Sequence, residues 1–222
     1  MAGGRFISLE GVEGAGKSTL AASLEQALRE RGLTVRRTRE PGGTPLAERL
    51  RAVLLEPGIE PVGVQAETLL MFAARAIHLE NLIRPALQNG EWVICDRFTD
   101  ATRAYQGGGR GVSAALIEQL AQAVHADLWP DRTLLLDLPV AIGAERARAR
   151  RGQPDRIERE ATEFFERVRQ TYRHIAIAEP RRVRVLDATA GAAQVLVDAL
   201  AALSDLLPPP AGAAARGPHG PG

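Results

Sequence analysis

The chain has 222 residues, of which 45% are hydrophobic and 25% charged, enough for one globular α/β domain with a full core and not the composition of a disordered chain. A formal net charge of +1 gives no field to recruit nucleic acid or a membrane surface. One cysteine, Cys95, excludes an internal disulfide framework, and no signal-peptide pattern or span of roughly 20 apolar residues is present, so a soluble, cytoplasmic protein is expected.

In chain order, "RFISLE" (5–10) reads as a first strand, followed by a glycine-rich turn and a helical pattern over 17–31. "LTVRRTRE" (33–40) is the second strand, and helices are predicted at about 44–55 and 64–89. "WVICD" (92–96) is the third, followed by "RFTDATRAYQGGGRG", read as a loop, and a helix at 113–126. "TLLLDL" (133–138), helices at about 140–150 and 158–178, "RVRVLD" (182–187) and a helix at 191–206 complete the alternation. The first, third and fourth strands are almost continuously apolar, as strands covered on both faces are. The pattern predicts an α/β fold in three layers, a five-stranded parallel sheet with helices on both faces. Ligands bind such sheets at the carboxyl ends of the strands, where Glu10, Glu40, Asp96, Asp137 and Asp187 fall. One domain is expected over 1–207, and the Pro/Gly/Ala-rich tail 208–222 reads as disordered.

The turn "GVEGAGKS" (11–18) fits G-x-x-x-x-G-K-[ST] between a predicted strand and a predicted helix, the context a phosphate-binding loop requires. Its glycines let backbone N–H groups face a phosphate and the helix N-terminus adds its dipole; Ser18 is the candidate Mg²⁺ ligand. Lys17 is the only lysine among 28 basic residues. A compact ammonium on a flexible stem reaches along such a loop to the β- and γ-phosphates, where a broad planar guanidinium would crowd it. The loop reads as a nucleoside triphosphate site. The guanine-reading N-K-x-D signature is absent, since neither Asn81 nor Asn89 precedes a lysine, which disfavours a switch GTPase. Four arginine-bearing segments, "TREPGGT" (38–44), "MFAARAIH" (71–78), "CDRFTDATRAYQGGGRG" (95–111) and "RARARRGQPDRIE" (146–158), carry more phosphate-clamping charge than one triphosphate needs. A second, phosphorylated substrate is expected.

These segments, in this order, resemble those of the bacterial thymidylate kinases over residues 5 to about 206, with "TREPGG" paired with "YQGGGRG" the most specific feature. The resemblance implies transfer of the γ-phosphoryl of Mg²⁺·ATP to dTMP, giving ADP and dTDP for dTTP synthesis, by a homodimer packed through helices. It assigns Gly11, Val12, Glu13, Gly14, Ala15, Gly16, Lys17, Ser18 and Thr19 to the ATP phosphates, and Asp96 to water-bound Mg²⁺ and the acceptor phosphate. Arg97 would bind that 5′-phosphate, Phe72 stack on thymine and Arg75 donate to a base carbonyl. Thr102 and Gln106 would read the N3–H edge, and Tyr105 fill the space of a ribose 2′-OH. Glu40 is an acceptor-site residue or only caps a turn; Glu10 holds the metal's water shell or only satisfies backbone donors; Phe72 taken alone would be core. Glu13 stands where one branch of the family has a loop arginine, so the chain resembles the branch whose catalytic arginine sits in a lid, here about 146–157, with Arg150 or Arg151 as candidates. Two alternatives stay open at this point: a kinase of another small acceptor, and a non-enzymatic nucleotide-dependent interaction module.

Overall fold

A computed structural model describes residues 3–55, 61–149, 156–157 and 159–208. The candidates Arg150 and Arg151 and the tail beyond residue 208 lie outside them. The order is β1 (Phe6–Glu10), α1 (Lys17–Arg29), β2 (Val35–Arg39), α2 (Pro45–Leu55), α3 (Val64–His78), a π-helical turn (Leu79–Ile83), α4 (Arg84–Gln88), β3 (Trp92–Asp96), α5 (Thr99–Thr102), a π-helical segment (Arg103–Gly109), α6 (Ala114–His125), β4 (Arg132–Asp137), α7 (Val140–Ala149), α8 (Thr162–Ala178), β5 (Val183–Asp187) and α9 (Ala192–Ala202).

All five strands pair in parallel in the order β2-β3-β1-β4-β5. The three apolar strands occupy the centre, and the arginine-bearing β2 and β5, partly exposed, form the edges, where charge also discourages edge-to-edge pairing. Alternate residues feed the two faces. Ile7, Leu9 and Ile94 join Leu20, Leu24 and Leu28 on one side, and Phe6, Val93 and Cys95 join Leu79, Ile83 and Phe98 on the other.

Two features depart from the sequence reading. The helix expected over 64–89 is interrupted at Leu79–Ile83 by a π turn, just before Pro85, which has no N–H to continue the i→i−4 ladder. Residues 99–109, read as a loop, are helical although they end in three consecutive glycines. Two of those glycines are needed for approach to α8: a Cβ on Gly108 would overlap the Thr171 side chain, and one on Gly109 the Phe164 ring. Tertiary packing outweighs the helix penalty of glycine here.

This segment is anchored to the sheet by Asp100, which is 2% exposed. Its carboxylate accepts from Arg182 at 2.6 and 3.0 Å, from Arg103 at 3.2 Å and from the Thr133 hydroxyl at 3.2 Å. Removing one partner of a buried charge network leaves the others uncompensated, typically at about 3–5 kcal/mol. Asp100→Ala is therefore expected to lower Tm by on the order of 10 °C in a thermal melt; a change of under about 2 °C would show that the network does not hold the segment.

Candidate active site

A cavity of about 680 Å³ opens at the carboxyl rim of the sheet. Its floor is the turn from β1 into α1. Gly11, Gly14 and Gly16 have φ of 138°, 74° and 93°, values that side chains with a Cβ rarely adopt. Residues 13–19 line the cavity, and α1 is preceded by Gly16 at the cap position, which offers no side-chain cap, so its first N–H groups are presented to an anion. The Lys17 ammonium is buried and donates to the carbonyls of Gly11 at 3.0 Å and Val12 at 2.9 Å. Burial, followed by the nearby Arg97 charge, lowers its pKa to about 8. Ser18 Oγ lies 3.3 Å from Asp96 Oδ2 at the end of β3, a pair of hard oxygen donors of the kind Mg²⁺ accepts.

Glu10 is fully buried and does not line the cavity. Its Oε1 accepts from the Phe98 N–H at 2.7 Å and its Oε2 from the Tyr172 hydroxyl at 2.7 Å. Burial, reinforced by the charge of Asp100, raises its pKa to about 8. Its contacts are thus one backbone donor and one side-chain hydroxyl. The other rim carboxylates diverge: Asp137 pairs with Arg169 at 2.7 and 3.0 Å, and Asp187 accepts from Thr189.

Arg97 follows β3 with φ of 76°, unique among the described non-glycine residues, a conformation costing about 1–2 kcal/mol. Its N–H donates to Leu9 O at 2.9 Å, and its guanidinium donates to Gly11 O at 3.1 Å, the Tyr172 hydroxyl at 3.3 Å and Glu13 Oε1 at 2.8 Å. The guanidinium carbon lies 4.6 Å from the Tyr105 ring centroid, and the Tyr105 hydroxyl donates to both Glu13 oxygens at 2.9 and 2.8 Å. Loop, β3 and the 103–109 segment thus meet at one point.

The opposite wall comes from α3 and the residue after β2. A chain of contacts runs from Thr38 Oγ1 to His78 Nε2 (2.7 Å), His78 Nδ1 to Glu40 Oε1 (3.1 Å), Arg75 Nε to Glu40 Oε2 (2.7 Å) and Arg75 Nη2 to Thr102 Oγ1 (3.0 Å). Burial pushes the Glu40 carboxyl up, but Arg75 and His78 outweigh it and hold the group below the ordinary value. Arg75 lines the cavity, is 2% exposed, and its Nη1 has no hydrogen-bond partner among the described residues. A buried orphan donor of this kind is costly unless a ligand supplies an acceptor.

Of the sequence candidates, Glu13, Gly14, Ala15, Gly16, Lys17, Ser18, Thr19, Glu40, Arg75, Asp96, Arg97, Thr102, Tyr105 and Gln106 meet at this cavity. Phe72 does not line it; the ring packs with Ile117 and Ala121, with the Arg75 guanidinium 4.8 Å from its centroid. Among the described residues of the expected lid, Arg146 is on the wall, donating to Ala188 O at 2.9 Å, whereas Arg156 turns away to Leu54 O at 2.9 Å and to Glu67. Sequence reasoning missed His78, Tyr172 and Glu67. Glu67, Met71, Arg75 and His78 follow one another at helical spacing on the buried face of α3, a pattern that could have singled them out.

A sequence model described as thymidylate kinase matches residues 9–198. The chain belongs to the thymidylate kinase family. It is 57% identical over 204 residues to a thymidylate kinase of Ectopseudomonas mendocina, covering 92% of this chain and 97% of that protein. With a thymidylate kinase of Bordetella pertussis the identity is 56% over 186 residues, 84% of this chain and 88% of that one. The crystal structure of thymidylate kinase from Ehrlichia chaffeensis matches with a TM-score of 0.73 at 33% identity, covering 90% and 99% of the two chains. The five-stranded parallel sheet and its loop are therefore the fold of this family.

Lys17→Arg should keep the wild-type melting curve and lose about 10² to 10³ in kcat, because charge remains while reach and shape are lost. In the wild type, kcat/KM for the phosphoryl donor should fall above a pH of about 8, as the buried ammonium loses its proton; the residual activity of the variant should lack that limb. Activity within twofold of wild type, or a wild-type profile flat to about pH 10, would contradict the assignment.

Proposed function

We propose that the protein phosphorylates thymidine monophosphate in the cytoplasm, by direct in-line transfer of the γ-phosphoryl of ATP to the 5′-phosphate of dTMP. The observation that carries the choice of acceptor is the partnerless buried Nη1 of Arg75, set between Glu40 and Thr102 on a wall that also holds Gln106. The Gln106 amide nitrogen donates to Glu67 at 2.8 Å, which turns the carbonyl end of the amide away from Glu67 and makes that oxygen the acceptor proposed to face a base. A donor and an acceptor side by side complement the O4 and N3–H of thymine; cytosine presents an amino group and a bare N3 at those positions. The stacking role of Phe72 remains part of the proposal and requires its ring, which lies against Arg75 but does not line the cavity, to be uncovered when a base binds.

Arg97 is the residue proposed to take the 5′-phosphate, exchanging the Glu13 carboxylate for it. Tyr105, beneath Arg97 and hydrogen-bonded to Glu13, would occupy the space of a 2′-hydroxyl. Loop residues Gly11 to Thr19 would hold the donor's phosphates, with Lys17 swinging from its own carbonyls onto them. Ser18 would ligate Mg²⁺ and Asp96 hold its water shell, with Glu10 a further candidate for that shell; the bound ion would neutralise phosphate charge. An acceptor phosphate is already anionic, so positioning and charge neutralisation are the tasks left to the protein. With Glu13 in the loop, the additional cation is assigned to the lid, at Arg150 or Arg151. A homodimer through α2 and α3 is part of the same proposal, supported by Leu46, Val53, Val64 and Leu69, which these helices leave exposed.

An ADP-release assay across nucleoside monophosphates tests the reading. dTMP should give the highest kcat/KM, the ribose form should be poorer, and Tyr105→Ala should narrow that gap. A better acceptor, or no turnover with any of them, would overturn the reading; an unchanged deoxy-to-ribo ratio in the variant would leave Tyr105 a packing residue.

A further inference from the structure

Glu67 is 0% exposed, stands on α3 two turns before Arg75, and does not line the cavity. Its Oε1 accepts from Gln106 Nε2 at 2.8 Å and from Arg110 Nε at 2.8 Å, and its Oε2 accepts from Arg156. Burial raises the carboxyl, but the hydrogen bonds from Gln106 and Arg156 and the charge of Arg110 outweigh it and hold it below the ordinary carboxylate value. The group is therefore an anion and can only accept hydrogen bonds.

An amide has two faces of opposite sense, and nothing in a glutamine by itself decides which one meets a ligand. Turning the Gln106 side chain over would set its carbonyl oxygen against Glu67 Oε1, two acceptors with no hydrogen between them in a buried place. We infer that Glu67 is the positioning residue for pyrimidine specificity: it locks the Gln106 amide so that an acceptor faces the cavity, and the pocket accordingly selects bases carrying N3–H and rejects those with an unprotonated N3. This rests on the reading of Gln106 as a base contact. Arg110 and Arg156 neutralise Glu67, so the anion persists without drawing on Arg75, the cation that faces the base.

The test is the ratio of kcat/KM for dTMP to that for 5-methyldeoxycytidylate, two acceptors that differ only along the edge in question. Glu67→Ala frees the amide to turn, and the ratio should fall about tenfold, the factor of roughly 1.4 kcal/mol of orientation preference, partly because the cytosine analogue improves. Arg75 still opposes the amino group, so the ratio stays above unity. Glu67→Gln keeps an oxygen toward Gln106 and Arg110 and should retain the wild-type ratio. A purely structural role for Glu67 would lower both substrates together and leave the ratio in place, which would overturn the inference. Gln106→Ala, run in parallel, separates the two claims: an unchanged ratio there removes Gln106 from base recognition, whereas a ratio that falls in Gln106→Ala and not in Glu67→Ala removes only the role of Glu67. If Glu67→Ala does not fold, the wild-type protein answers by NMR. One Gln106 side-chain amide hydrogen, assigned by its loss in Gln106→Ala, should exchange slowly with and without dTMP; rapid exchange of both would overturn the inference.

Discussion

A site for two phosphorylated molecules must hold cations in a concave, partly dry place before either anion has arrived. Among the described residues each such cation is engaged by an anion or by carbonyls. Arg75 is held by Glu40, Arg97 by Glu13 and the Lys17 ammonium by two backbone carbonyls, while behind the wall Glu67 is paired with Arg110 and Arg156. Pairs of this kind add little net stability, because desolvation offsets attraction, but leaving one member alone is costly. Their effect is to aim groups in advance, so that little reorganisation remains when charge develops between the two phosphates.

The sheet makes this arrangement possible. Parallel register places Leu9 beside Asp96, and Arg39 beside Asp96 on the other flank, so the loops after β1, β2 and β3 leave the rim side by side and bring Glu13, Glu40 and Arg97 to one cavity. Packing then sets the opposite wall. Helix α3 presents Met71 and Arg75 to the cavity and keeps Glu67 and His78 behind them. The 103–109 segment contributes Tyr105 and Gln106 only because Gly108 and Gly109 let it lie against α8.

What could be read in the sequence were the parts whose physics is local. The apolar runs of β1, β3 and β4 announce a sheet covered on both faces, and a lone lysine between glycines and a serine announces a phosphate loop. Long-range constraints escaped. The helix at 99–109 looked like a loop because the value of its glycines lies in Thr171 and Phe164, more than 50 residues away. Glu67 carried no motif, since its importance depends on where Gln106 and Arg156 are folded. Phe72 was expected on the cavity wall from its neighbours in "FAAR", and one helical step carries it instead beneath Arg75, against Ile117 and Ala121.

The pre-aimed pairs are tested most directly by a crystal structure with dTMP and a non-hydrolysable ATP analogue. If the carboxylates behind the cavity hold its cations ready, the Glu40–Arg75 and Glu67–Gln106 contacts persist unchanged, Arg75 Nη1 gains a carbonyl oxygen of the base, and Arg97 exchanges Glu13 for the 5′-phosphate. A bound thymidylate that leaves Arg75 Nη1 without a partner, or that breaks either of the two supporting contacts, would contradict it.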